Sequence, residues 1–198
     1  ANGVHRTDPP GPTAEVELYD YTDAVPGIPV PLGAMVAFYS HAKIVNPASF
    51  LVSPGLNLGG GLASLLLDDD VRLHTKVDLA ADEQGHQIQI VLNTVSPIAN
   101  PTSLDLVLKD QVTISGVQRF MKLWNYTTSQ WEVIDTRLIP TSVNHIAAEA
   151  AGDLTRFVQP GTLNMRAMLG YDLVAADKFF AWEAFIDLAV LRVGHPAS

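Results

Sequence analysis

Residues 87–95 read Gln87-Ile88-Gln89-Ile90-Val91-Leu92-Asn93-Thr94-Val95. Ile88, Ile90 and Leu92 alternate with Gln89, Val91 and Asn93, the period of two expected of a strand with one buried face. The same alternation returns in Leu104-Asp105-Leu106-Val107-Leu108-Lys109. Outward from these two, β-rich runs span Val71 to Leu79, Gln87 to Val95, Ser103 to Thr113, Val117 to Tyr126, Trp131 to Leu138, Asn144 to Ala150, Leu163 to Tyr171 and Phe179 to Val193. Gly59-Gly60-Gly61, Ser96-Pro97 and Asn100-Pro101 punctuate them, and Asn125 to Gln130 reads as a hairpin loop. Leu62 to Leu67 and Leu154 to Val158 are long enough for a helical turn only. The expectation is an all-β fold, an antiparallel β-sandwich or jelly roll over residues 49–198.

Residues 1–48 differ in character. Pro9, Pro10, Pro12, Pro26, Pro29, Pro31 and Pro47 fix φ and remove amide donors, which favours an extended Pro-rich N-terminal arm. Two short apolar stretches interrupt it, Glu15 to Asp20 and Ala34 to Tyr39. Val16, Leu18, Met35, Val36 and Phe38 are the expected contacts of such an arm. A tethered extended segment can add a strand to an exposed sheet edge, on its own subunit or on the next. Head-to-tail exchange between subunits gives open polymers when the rotation does not close.

Composition excludes several functions. The formal net charge is −9, which argues against nucleic acid, whose binding needs clustered Lys and Arg to displace counterions, and against an anionic membrane surface. No apolar run approaches the roughly 18–20 residues that cross a bilayer. There is no cysteine, hence no disulfide framework or thiolate chemistry. Charged residues are 17% and hydrophobic residues 47%. That balance fits either a surface partly covered by other subunits or one rich in neutral Thr, Ser, Asn and Gln. The opening Ala1-Asn2-Gly3 without Met is the form that signal-peptide cleavage leaves, which carries an expectation of secretion.

The chemistry-bearing residues give no recognisable active site. Asp68-Asp69-Asp70 is a weak candidate for calcium, but three adjacent aspartates lack the alternating spacing of a calcium loop and read as a solvated turn. The six histidines are scattered singly, without the paired spacing of a zinc site. Gly61-Leu62-Ala63-Ser64 does not complete a nucleophile elbow, and Gly59-Gly60-Gly61 is followed by no phosphate-loop lysine. Glu132, Asp135, Glu149, Glu183 and Asp187 fall in predicted strands. Asp187, inside Phe185-Ile186-Asp187-Leu188-Ala189, is expected to be a buried polar anchor meeting Arg166 or Arg192. Trp124, Trp131 and Trp182 are candidates for a platform on which sugar rings stack, although a sandwich also needs aromatics for its own core.

Three places carry a resemblance. Leu123-Trp124-Asn125-Tyr126-Thr127-Thr128-Ser129-Gln130-Trp131-Glu132-Val133-Ile134-Asp135, the turn Gly152 to Gly161, and Phe185 to Val190 resemble a jelly-roll-like β-sandwich domain of large secreted proteins of environmental bacteria. Ser129 stands where that domain more often has Gly. Gly59 to Asp69 is similar to the Gly-rich segment and acidic turn that often open the domain. The resemblance covers about residues 49–193 and implies a sandwich and secretion, without an activity. Two functions follow as expectations, neither enzymatic and neither needing a cofactor. The first is an extracellular, cell-surface structural subunit that self-assembles into a filament or sheath by strand donation. The alternative is a carbohydrate-binding module of a secreted protein.

Overall fold

The structure, a computed structural model, describes residues 42–80, 87–174 and 181–195. Eleven strands build two antiparallel sheets. The first sheet holds β3 (Leu56–Gly59), β4 (Leu73–Lys76), β11 (Glu183–Gly194), β6 (Ser103–Val112) and β9 (Asn144–Glu149) in that order, with β1 (Ala42–Val45) also paired to β11. The second holds β2 (Ser49–Val52), β5 (Gln87–Val95), β10 (Asn164–Leu173), β7 (Val117–Asn125) and β8 (Gln130–Leu138) in order. Most connections pass from one sheet to the other, the jelly-roll habit that places sequence neighbours on opposite walls of one core. The expected all-β sandwich is therefore what the chain forms.

The period-two runs supply the core. Leu104, Leu106, Leu108, Ala189, Leu191 and Val193 of the first sheet face Ile88, Ile90, Leu92, Met121, Leu123 and Leu169 of the second, all buried. The predicted strand Gln87 to Val95 is β5 itself, and the runs from Ser103 to Tyr171 match β6 to β10 within two residues at either end. The two helical turns are 3-10 turns at Leu62–Leu65 and Leu154–Phe157. The second is capped by Asp153, whose side chain accepts from the Thr155 amide.

Ala42–Val45, counted with the arm in the sequence, pairs antiparallel with Leu191–Gly194 and so belongs to the sandwich. Val16, Leu18, Met35, Val36 and Phe38 lie outside the described residues.

The hairpin between β7 and β8 shows how local chemistry sets the fold. Asn125 is buried, and its Oδ1 accepts from the amides of Thr127 and Thr128 at 2.7 and 3.0 Å, closing an Asx turn. Ser129 then takes φ +55°, a left-handed conformation that costs a non-glycine residue about 1–2 kcal/mol. Glycine adds unfolded-state entropy that offsets part of this gain. Ser129→Gly is expected to stabilise the protein by about 0.5 kcal/mol, read as a higher urea midpoint at unchanged slope. Of the three adjacent glycines, Gly60 carries the requirement. Its φ is +79°, and a Cβ there would stand 2.5 Å from the Arg72 carbonyl oxygen.

Candidate functional site

The outer face of the second sheet follows from its register. In β7, Val117, Arg119, Met121, Leu123 and Asn125 point inward, which turns Gln118, Phe120, Lys122 and Trp124 outward. In β10 the outward set is Arg166, Met168, Gly170 and Asp172, and in β5 it is Gln87, Gln89, Val91 and Asn93. Pairing arranges these in rows across the sheet. One row runs Ser49, Asn93, Arg166, and the Arg166 guanidinium, 5.0 Å from the Trp124 ring, continues it to the opposed Trp124 and Trp131. The next is Leu51, Val91, Met168, Lys122, Val133, and beyond it Gln89, Gly170, Phe120, Thr136. At strand spacing the first row is about 19 Å long, and successive rows lie about 7 Å apart.

Trp124 and Trp131 are directly opposed and half-buried. Their ring centroids are 5.2 Å apart with planes at 74°, an edge-to-face pair. The Arg166 guanidinium stands 5.0 Å from the Trp124 ring and 5.2 Å from the Trp131 ring, so one cation serves both indoles. Gly170 has no side chain between Gln89 and Phe120. A Cβ there would touch Phe120 at 3.7 Å, and Gly170 is itself buried. The Lys122 ammonium sits 5.4 Å from the Phe120 centroid. Asn93 donates to Ser49 Oγ at 3.2 Å, and Gln89 to Gln87 Oε1 at 3.2 Å. These amides keep further donors and acceptors for a ligand.

At the loop end of the same sheet lies a cleft of about 330 Å³. Asn100, Tyr126, Thr127, Arg156, Gln159 and Pro160 are among its walls. Tyr126 lines the cleft and lies within electrostatic reach of Arg166. Its phenol pKa is raised, first by burial, and Arg166 acts on it in the opposite sense. The far wall is held by Glu132, which accepts from Arg156 Nε and Nη2 at 2.9 and 2.8 Å and from Asn125 Nδ2. Arg156, followed by Asn125, holds the Glu132 carboxyl below its ordinary value of 4.5. A depressed carboxyl contributes stability that is present above the unfolded value and is lost as pH falls through the folded one. Arg156→Gln is therefore expected to flatten the loss of stability below pH 4.5, seen in denaturant midpoints across a pH series.

Not every candidate from the sequence reaches this face. Trp182 is fully buried in the core, with its backbone carbonyl accepting from the Val77 amide. It cannot stack on a ligand, which corrects its place in the platform; it precedes β11 at a position that faces between the sheets. Trp124 and Trp131 are brought together, though not in one plane. Asp187 is buried at a bulge in β11. Its partner is Lys109, not Arg166 or Arg192, and Arg192 instead donates to Asp105 at 2.8 Å.

The acidic turn converges on the same lysine. Asp68 and Asp70 both pair with Lys109, Asp70 also takes Arg72 at 3.0 Å, and Asp69 accepts from the Val71 amide at 3.0 Å. Those hydrogen bonds hold the Asp68 and Asp70 carboxyls low. A lysine thus occupies the centre a cation would need, and among the described residues no group of three or more potential metal ligands converges. Glu132, Asp135 and Glu183 are likewise engaged, by Arg156, Arg137 and His74.

Arg166, Phe120, Asn93 and Gln89 were absent from the sequence-based candidates. The period-two pattern that marked Ile88, Ile90 and Leu92 as inward marks Gln89 and Asn93 as outward. Only the strand order places them beside the tryptophans.

No family model matches the chain, and no curated protein matches it. Among solved structures it is similar to a CBM4 structure at 11% identity and TM-score 0.45, over 73% of this chain and 94% of that one. It is similar to TmCBM61 in complex with beta-1,4-galactotriose at 11% identity and TM-score 0.42, over 74% and 89%. A carbohydrate-binding module of family 29 aligns at 7% identity and TM-score 0.43, over 77% and 88%. At these values the likeness transfers no residue and no ligand to this chain. No described helix is long and apolar enough to cross a membrane.

Proposed function

We propose that this chain is a non-catalytic glycan-binding domain of an extracellular protein, and that the outer face of its second sheet is the binding surface. The observation that carries the reading is the group Asn93, Arg166, Trp124, Trp131, with the guanidinium about 5 Å from both indole rings. It sets two indole rings and a guanidinium among amides on a rigid sheet. Sugars present apolar C–H faces and a rim of hydroxyls. Indole faces take the former, and amide and guanidinium groups, with their several donors and acceptors, take the latter. Strands hold such groups more firmly than loops do. The face also differs from the outer face of the first sheet. There Lys109, Arg192 and His74 are tied to carboxylates and Lys76 is not, whereas no ion pair among the described residues involves Lys122, Arg166 or Asp172 on the second.

The glycan reading takes precedence over assembly by strand donation because every residue it uses lies among the described residues. Affinity electrophoresis through gels containing soluble polysaccharides, neutral and acidic, tests it. Retardation by at least one polysaccharide is expected. Unaltered migration through the whole panel would count against the reading.

A further inference from the structure

We propose that the preferred ligand of this face is an acidic glycan, whose uronate carboxylate is taken by Arg166 beside the tryptophan pair, with Lys122 one row away as the second cation. This rests on the glycan-binding reading and narrows it to a substrate class.

The starting point is how the arginines are used. Five of the six described ones stand in ion pairs: Arg72 with Asp70, Arg119 with Asp110, Arg137 with Asp135, Arg156 with Glu132 and Arg192 with Asp105. Arg166 alone among them has no carboxylate; its contacts are the two indole rings. Scarcity of acid does not explain this, since the chain has 21 Asp and Glu against 12 Lys and Arg. Its strand partner in β5 is Asn93, and the Trp124 ring of β7 lies beside it, both uncharged. The acidic residue of the same strand and face, Asp172, lies six residues along β10, about 20 Å away. The other cation of the face is nearer. Lys122 pairs with Met168, the next outward residue after Arg166, and Lys122 also lacks a carboxylate partner among the described residues.

A guanidinium held against aromatic rings keeps its in-plane donors free. That planar fork matches a carboxylate in bidentate geometry, which an ammonium or an amide does not. A sugar stacked on an indole while its carboxylate meets Arg166 would satisfy both features at once. A neutral sugar would leave the guanidinium partly desolvated without an opposite charge.

The test uses the whole chain with polygalacturonate, alginate and glucuronoxylan, each beside its carboxyl-reduced form, and with dextran sulfate as a sulfated polyanion. Wild-type protein is expected to bind at least one polyuronate about tenfold or more tightly than the reduced form, the loss of a charged hydrogen bond. Arg166→Gln should abolish that difference, Arg166→Lys should keep part of it, and Trp131→Ala should weaken both forms. Equal binding of acidic and reduced polymers, or an unchanged preference in Arg166→Gln, overturns the acidic ligand and leaves the glycan reading standing. Dextran sulfate bound as tightly as the best polyuronate also overturns it, by showing attraction to any polyanion. Binding to none of the polymers overturns the glycan reading itself.

Discussion

Arg119→Met is expected to destabilise the sandwich by about 3–5 kcal/mol, the cost of leaving a buried charge without its partner. Arg119 is fully buried, Asp110 is 2% exposed and Tyr171 is 1% exposed. They lie between the two sheets. Arg119 Nη1 donates to both Asp110 oxygens at 2.8 and 2.9 Å, and the Tyr171 hydroxyl donates to Asp110 Oδ2 at 2.9 Å. Burial, then the Asp110 charge, raises the Tyr171 pKa well above its ordinary value, so the phenol remains a donor at neutral pH. With the guanidinium gone, Asp110 keeps only that phenol and Asn144 Nδ2 at 3.5 Å. Replacing both members, Asp110→Leu with Arg119→Met, is expected to recover most of the loss, because apolar pairs often replace buried ion pairs at little net cost. Urea unfolding of the two single variants and the double variant gives the coupling directly.

The pair also bears on the outer face. Arg119 sits between Gln118 and Phe120 on β7, and Trp124 follows with the same outward parity as Phe120. A one-residue slip would bring Phe120 and Trp124 inward and carry Arg119 out, stranding Asp110. The buried charge thus opposes the misregister that would destroy the proposed site.

Trp124→Ala and Trp131→Ala are expected to weaken glycan binding by about 2–4 kcal/mol each, the range of an aromatic anchor at the centre of an interface. That is roughly 30- to 1,000-fold in Kd. Both rings are half-buried on the outer face, so their removal opens no cavity between the sheets, and the variants should unfold near the wild-type midpoint. The double variant should lose less than the sum of the two single losses, because each ring packs on the other and on Arg166. Isothermal titration with a bound oligosaccharide measures both effects. A loss below threefold in each variant would remove the rings from the site.

What could be read from the sequence depended on burial. β5 and β7 were legible because each buries one face and alternates cleanly, as Ile88, Ile90 and Leu92 do. β1, β2 and β3 were not. Each is four residues long with largely exposed or half-exposed side chains, too short for periodicity to register. The buried ion pair did leave a trace. Asp110 continues the parity of Leu104, Leu106 and Leu108, and Arg119 that of Val117, Met121 and Leu123. Two opposite charges on core parity, flanking one turn, suggest partners. Asp187 illustrates the opposite case. A bulge between Ile186 and Leu188 breaks the alternation, and its partner Lys109 comes from register that no local pattern encodes. Trp182 was misplaced because the residues before β11 have no alternation to say which way the ring points. Arg166 was overlooked as a site residue for a related reason. Its meaning depends on β10 lying beside β7, a pairing about fifty residues apart in sequence.

The most direct test follows the three indole N–H signals by ¹⁵N-correlated NMR during titration with an oligosaccharide from the polymer that binds best. The chain has three tryptophans, two on the outer face of the second sheet and Trp182 buried in the core. The Trp124 and Trp131 signals are expected to shift progressively and saturate together, with Trp182 unmoved. Saturable binding that leaves both Trp124 and Trp131 in place would contradict the assignment of this face as the glycan site.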